Sequence, residues 1–442
     1  MRIVDWSGTD AEERAAVTAR GTAAAGPEVT ASVAQTLAAV RSDGDAAVIA
    51  ATARFDGVEL SALTVSAEQV AQAQGRLRPA LREAISEAAG RIRTFHAAGV
   101  TGDYAVETAA GVRCERVMRP IERVGLYVPA GSAPLPSTAL MLGVPARLAG
   151  CPHIVLITPP DAQGHADDAV LAAAAECGIT EIFLGGGAQA IAALAYGTET
   201  VPACDKIFGP GNAWVTEAKR QVSTAEGGPG IDLPAGPSEV VVIADAGADP
   251  EFVAADLLSQ AEHGPDSQVL LVTDDRALAE AVVEEVEAQV EQLPRAEIAR
   301  KALASSRVIQ TATVEEAFEV SNAYGPEHLI LALRDARDRL GDVRRAGSVF
   351  LGDWAPETLG DYCSGTNHVL PTAGAARYTG GVNVSSFQIA MTVQSVSQLG
   401  LHTVGPCAVE LSEAERLHAH QRAVTRRLTR PVPERPDQPD QP

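Results

Sequence analysis

Long apolar runs are missing from these 442 residues. No window approaches the roughly 18 uninterrupted apolar residues that a membrane-spanning helix needs. The opening stretch, MRIVDWSGTDAEERAAV, has acidic residues where a signal peptide would be apolar. Together these absences predict a cytoplasmic protein. Paired cysteines are missing too: Cys114, Cys151, Cys177, Cys204, Cys363 and Cys407 are scattered without a CxxC pair. That argues against a disulfide framework and against a thiolate zinc site, and leaves most of them as small buried apolar residues. Lysine is nearly absent, with only Lys206, Lys219 and Lys301, and the formal net charge is −22. Such a surface disfavours nucleic acid and anionic membrane as partners, because both need positive charge to displace counterions.

What is present is apolar content of 46% in a periodic arrangement. At this length it predicts two or more domains around well-buried sheets. Between Thr30 and Gly99 apolar residues recur at helical spacing (Val33, Leu37, Val40; Val70, Leu77, Leu81). Tyr104 to Met118 alternates about an Ala-Gly turn and predicts a β-hairpin. From Arg123 a strand-then-helix rhythm begins, with VGLYVP, HIVLITP, EIFLGG and DKIFGP each followed by a helical segment. After a Gly/Pro-rich break at 227–237 it resumes with EVVVIAD, QVLLVTD, RVIQTA, HLILAL and SVFLGD. Parallel neighbours need long crossovers, so two parallel sheets follow. The glycine-rich stretch 352–381 is too long for a plain connection and predicts an active-site wall. Beyond it, Val404–Leu411 reads as a strand and Ser412–Leu428 as a helix capped by Ser412.

Three clusters could carry chemistry. In LLSQAEHGPDSQ, Gln260 and His263 are three apart near a helix end and can face the same way, as metal donors or as a simple helix terminus. GDYCSGTNHVLP puts Asp361 and His368 in a loop whose glycines let backbone approach a ligand, although ordinary turn chemistry would also explain it. In YGPEHLIL, Glu327 and His328 stand where a loop enters a strand, fit either for general acid–base work or for a solvated strand start. Gly185, Gly187 and Ala190 match a GxGxxA nucleotide fingerprint formally, but Asp205 precedes the next strand instead of ending it. FGPGNAW is more informative: Gly209 and Gly211 allow a tight turn, Asn212 can cap the following helix, and its free amides suit an anion.

Taken in order, ERVGLYVPAGSAPLPSTALM, GGAQAIAALAYGTETVPACDKIFGPGN, DLPAGPSEVVVIAD, LLSQAEHGPDSQV, YGPEHL, GSVFLG, GDYCSGTNHVLPT and AERLHAHQRAV closely resemble the histidinol dehydrogenase family. The resemblance runs from about Arg123 to Val424. It implies oxidation of L-histidinol to L-histidine through bound histidinal, with two NAD used in succession. It further implies one zinc per active site held by Gln260, His263, Asp361 and His420, an acid–base pair in His328 and Glu327, and substrate contacts from Ser238 and Glu415. NAD contacts fall on Tyr127, Gln189 and Asn212. Cys363 is a bystander on this reading. A homodimer is implied in which the C-terminal segment carries Glu415 and His420 into the other copy's active site. Two features depart from the pattern. Ala130 stands where the family usually has glycine, and on one regular helix Glu415 would face His418 and not His420.

The expected architecture is α/β, with two Rossmann-like domains with parallel sheets, an N-terminal helical segment and a small C-terminal arm. The expected divisions are 1–28, 29–126 joined with 239–382, 127–238, 383–430, and a disordered tail 431–442. Alternative readings are a dehydrogenase of the same family acting on another small polar alcohol, a zinc hydrolase using Glu327 to activate water, or a non-catalytic binding protein.

Overall fold

The computed structural model describes residues 1–20, 26–130, 133–233 and 236–430; the tail expected to be disordered lies outside the described residues. In chain order the strands are β1 (Arg2–Asp5), β2 (Tyr104–Ala109), β3 (Val112–Pro120), β4 (Arg123–Tyr127), β5 (His153–Thr158), β6 (Glu181–Leu184), β7 (Lys206–Phe208), β8 (Gly230–Ile231), β9 (Glu239–Ala244), β10 (Gln268–Thr273), β11 (Arg307–Gln310), β12 (His328–Ala332), β13 (Ser348–Leu351) and β14 (Gln388–Val396). The chain divides into a larger unit, Met1–Gly99 with Ile121–Phe387, and a smaller one, Val100–Pro120 with Gln388–Pro442.

Two parallel sheets build the larger unit, as the strand–helix rhythm predicts. One runs β6-β5-β4-β7-β8 and the other β1-β11-β10-β9-β12-β13. Apart from the edge strand β1, each starts at a central strand (β4 or β9), steps outward twice, then returns to the other side of that strand, which is the doubly wound order. Central strands are buried along their whole length and mostly apolar: every residue of EVVVIA in β9 and QVLLVT in β10 is buried, because helices cover both faces. Full burial of each such Val, Leu or Ile contributes about 1.5–3 kcal/mol.

Two assignments change against the sequence reading. The helices Pro27–Phe55, Ala67–Arg76 and Pro79–Ala98 share a core with the five-stranded sheet, through Val33, Val48, Ile85 and Ile92 among others, whereas the sequence grouped residues 29–126 with 239–382. Residues 2–5 form a parallel edge strand on β11, too short to register as a periodic signal.

In the smaller unit, β2 and β3 form the expected antiparallel hairpin, and β14 pairs antiparallel with β3 from Gln388↔Pro120 to Val396↔Val112. Val404–Leu411 is not a strand: it lies inside the helix Gln398–Ala414, capped by Ser397, whose side chain accepts the Gly400 N–H at 3.0 Å. Ser412 is likewise not a cap; its hydroxyl donates back to Val409 O (3.0 Å) in the last turn of that helix. A separate helix follows at His418–Leu428.

Candidate active site

The order β6-β5-β4-β7-β8 opens a crevice at the carboxyl ends of β4 and β7, the place where doubly wound sheets take ligands. Tyr127 ends β4, Gln189 lies in the first turn of the helix after β6, and Asn212 caps the helix Ala213–Thr224 after β7. The Tyr127 hydroxyl accepts the Gly187 N–H at 3.3 Å, and burial pushes its pKa up to about 12, so the phenol is neutral. Gln189 Nε2 donates to Asp56 Oδ2 at 3.4 Å. Gly209 has φ +130, and a Cβ there would stand 2.1 Å from the Tyr127 carbonyl oxygen, so only glycine lets these two loops touch. Asn212 Oδ1 accepts from the Trp214 and Val215 amides at 3.1 and 3.2 Å. From behind, the Lys219 ammonium donates to Gly209 O (2.8 Å) and pairs with Asp232, whose Oδ2 accepts the Gly209 N–H at 2.7 Å. Asp205 sits at the opposite ends of these strands, accepting the Arg123 N–H at 2.9 Å.

The six-stranded sheet presents its other edge. Glu327 and His328 stand at the amino end of β12, beside Ser238 and Glu239 at the amino end of β9. Glu327 Oε2 accepts the Glu239 N–H at 2.9 Å, and His328 Nδ1 lies 3.2 Å from Glu239 O. His328 Nε2 is 3.2 Å from Asp361 Oδ1. With a carbonyl at one ring nitrogen and a carboxylate at the other, both nitrogens are placed to donate. Burial works to lower the His328 pKa, but the Glu327 charge and the Asp361 hydrogen bond outweigh it and hold the imidazole well above its ordinary value. Burial likewise opposes ionisation of Asp361, yet His328, with weaker help from His368 and His263, keeps its carboxyl below the ordinary value.

Gln260 is completely buried, and its amide fits with the nitrogen donating to Glu357 Oε1 (2.9 Å) and the oxygen turned toward the Glu239 N–H (3.1 Å) and His328 Nδ1 (3.3 Å). His263, just past the end of the helix Pro250–Ala261, is exposed and lies with Nδ1 3.5 Å from Ser238 Oγ. His368 ties the wall segment together: Nδ1 meets Asp361 O at 2.9 Å and Nε2 meets Thr138 Oγ1 at 3.0 Å, on the helix that follows β4. That link runs from His328 and Asp361 toward the crevice.

Sequence reasoning missed Glu357. It is fully buried on the helix Glu357–Tyr362, four residues before Asp361, so the two share a face. Oε1 accepts the Ser259 hydroxyl at 2.9 Å, while Oε2 has no partner. Burial pushes the carboxyl up to about 8.

The donors present suit a zinc ion left open to substrate: an amide oxygen from Gln260, an imidazole from His263 and a carboxylate from Asp361. Among the described residues no three His, Cys, Asp or Glu side chains form a metal cluster. The larger unit contributes only two of those types to the inferred ligand set, His263 and Asp361, beside the Gln260 amide. Glu415 and His420 belong to the smaller unit, both exposed. Glu415 caps the end of one helix and His420 is in the first turn of the next, with Arg416 between them at φ +59. The geometric argument against His420, which the resemblance favours, assumed one continuous helix, and that premise fails.

Two doubly wound sheets, one opening a nucleotide-type crevice and the other burying an imidazole among carboxylates, define an α/β protein of the paired Rossmann-like kind. The family model for histidinol dehydrogenase matches residues 19–428. A histidinol dehydrogenase of Xanthomonas campestris pv. campestris is 59% identical over 428 residues, covering 97% of this chain and 99% of that protein. One from Pectobacterium atrosepticum is 52% identical over 426 residues, 96% of each. The crystal structure of the Elizabethkingia anophelis histidinol dehydrogenase superposes with a TM-score of 0.93 at 45% identity, over 97% of this chain and 98% of that one. The chain belongs to the histidinol dehydrogenase family.

Proposed function

We propose that the protein oxidises L-histidinol to L-histidine by way of bound histidinal, the closing steps of histidine biosynthesis. The observation that carries this reading is the buried contact of His328 with Asp361 on one side and with Gln260 and the start of β9 on the other, in a chain of this family. Zinc held by Gln260, His263, Asp361 and His420 would fix the amino alcohol, and two NAD molecules, bound in succession by Tyr127, Gln189 and Asn212, would each accept one hydride.

The protein's own groups handle protons and water. In its neutral form His328, oriented through Nδ1 by the Glu239 carbonyl, takes the alcohol proton at Nε2, the nitrogen that faces Asp361 here. Glu327, fixed by the Glu239 N–H, then removes a proton from the water that adds to the aldehyde. A hydrated aldehyde needs no thiol, so Cys363 takes no part. Ser238 and Glu415 contact the substrate, Glu415 by pairing with its ammonium group. The active form is a homodimer with Glu415 and His420 supplied by the other copy. In support, β14 exposes Ile389, Met391 and Val393 at alternate positions, an apolar row on one strand face suited to an interface. Among the described residues no helix is long and apolar enough to cross a membrane.

The test is NADH formed per L-histidinol, with metal content measured on the same sample. Two equivalents are expected. Glu327→Gln should slow histidinal oxidation about 10²–10⁴-fold, and His328→Asn should slow histidinol oxidation comparably with zinc retained. Turnover of other small alcohols only, or no NADH at all, would refute the reading. Mixing His328→Asn with His420→Ala subunits should restore activity, because one site of each mixed dimer then holds both residues.

A further inference from the structure

Arg20, far from the acid–base pair in sequence, sits directly behind it. Its guanidinium forms a two-point ion pair with Glu239, Nε to Oε1 at 2.5 Å and Nη2 to Oε2 at 2.9 Å. The same Nη2 donates to the Tyr324 and Gly325 carbonyls at 2.9 and 3.2 Å, and the group lies 3.7 Å over the Tyr324 ring. One planar cation therefore touches the start of β9 and the end of the helix Val314–Tyr324 that leads into β12. Tyr324 and Gly325 begin the turn that delivers Glu327 and His328 to β12, and Glu239 is the residue whose N–H holds Glu327 and whose carbonyl faces His328 Nδ1. Glu239 also accepts the Ala373 N–H at 3.0 Å, where Ala373 has φ +53, a conformation a β-carbon disfavours.

The Glu239 side chain is 3% exposed and that of Arg20 is 21% exposed. A buried pair of this kind is a poor source of net stability, because desolvation offsets its attraction, but it fixes geometry. Arginine's rigid fork makes four directed hydrogen bonds here, and lysine cannot reproduce that pattern.

We propose that Arg20 is a positioning residue for the acid–base pair, clamping the turn before Glu327 to the start of β9 so that both backbone contacts of the pair are held in register. This rests on the assignment of Glu327 and His328 as acid and base. The test compares Arg20→Met, Arg20→Lys and Glu239→Gln with Glu327→Gln and His328→Asn as site controls, and Val286→Ala as a control that loosens the core elsewhere. For each, kcat and KM are measured on histidinol and on histidinal, with zinc content and thermal midpoint.

Arg20→Met is expected to lower kcat about 10- to 100-fold on both substrates, the cost of a misplacement near 1 Å, with KM changed less than about threefold and zinc retained. Arg20→Lys should recover part of that loss, and Val286→Ala should lower the thermal midpoint while leaving kcat alone. The proposal is overturned if Arg20→Met and Glu239→Gln keep kcat within about threefold while His328→Asn loses it. If His328→Asn and Glu327→Gln themselves keep turnover, the acid–base assignment fails and this inference with it. Should Arg20→Met not fold, Arg20→Lys and Glu239→Gln are judged by the same kcat criterion.

Discussion

Replacing Lys219 by methionine isolates the buried ion pair that backs the Gly209 loop. Lys219 and Asp232 have side chains 3% and 1% exposed, so Lys219→Met leaves a carboxylate without its cation in a dry site. Breaking such a pair from one side costs about 3–5 kcal/mol, and losing the bond to Gly209 O adds about 1 kcal/mol. The Arg276–Glu280 pair, with side chains 54% and 57% exposed, is the natural contrast, and Arg276→Met should cost no more than about 1 kcal/mol. Lys219→Met/Asp232→Asn should recover part of the loss, since it removes the uncompensated charge and the asparagine carbonyl can still accept one of the two N–H groups, Gly209 or Leu233, that Asp232 holds on separate oxygens. The assay is urea unfolding at fixed protein concentration, because any dimer makes the midpoint concentration-dependent, together with NAD binding in the absence of substrate. NAD affinity should fall in the single variant and rise again in the double. A loss below about 1 kcal/mol in Lys219→Met, equal to the surface control, would refute the view that this pair braces the loop.

Further expectations concern separate parts of the molecule. Burial pushes the Asp256 carboxyl from an ordinary 3.8 up to about 7, so the folded state holds a proton that the unfolded chain has lost. Its contribution is complete below about pH 4 and disappears as pH rises through 7; Asp256→Asn should flatten that decline when urea midpoints are compared at pH 5 and 8, and an unchanged slope would refute this. Cys151, Cys177 and Cys204 are buried with thiols pushed up to about 11, 12 and 12, so in native protein iodoacetamide should modify exposed Cys407 and spare those three until unfolding. Cys363→Ser should retain both oxidations; loss of histidinal oxidation alone would reinstate a thiol step. His420→Ala should lose zinc while His418→Ala keeps it, and metal analysis showing the reverse would exchange their roles.

The strands were legible because burial on both faces leaves unbroken β-branched runs such as VVVIA, and the glycines and caps between them mark where each unit stops. Local signals failed where context decided. Val404–Leu411 looks extended through its Val and Pro content, yet the cap at Ser397 and packing make it helical. Glu327, His328 and Gln260 could be singled out because each sits in a short motif. Arg20 could not, since its partners are 219 and 304 residues away and nothing in its own neighbourhood hints at them. Glu357 could have been found, for its spacing to Asp361 is that of a shared helical face.

The two sheets present opposite ends to the chemistry. On the six-stranded sheet, the turns leaving β9 and β10, around Ala246–Gly247 and Asp274, are exposed and stand at the far end of their strands from Glu327 and His328. In most doubly wound enzymes an insertion there would destroy the active centre. Here those turns are the place to splice in a fluorescent reporter or an affinity handle, with catalysis expected to continue undisturbed behind the full length of the strands.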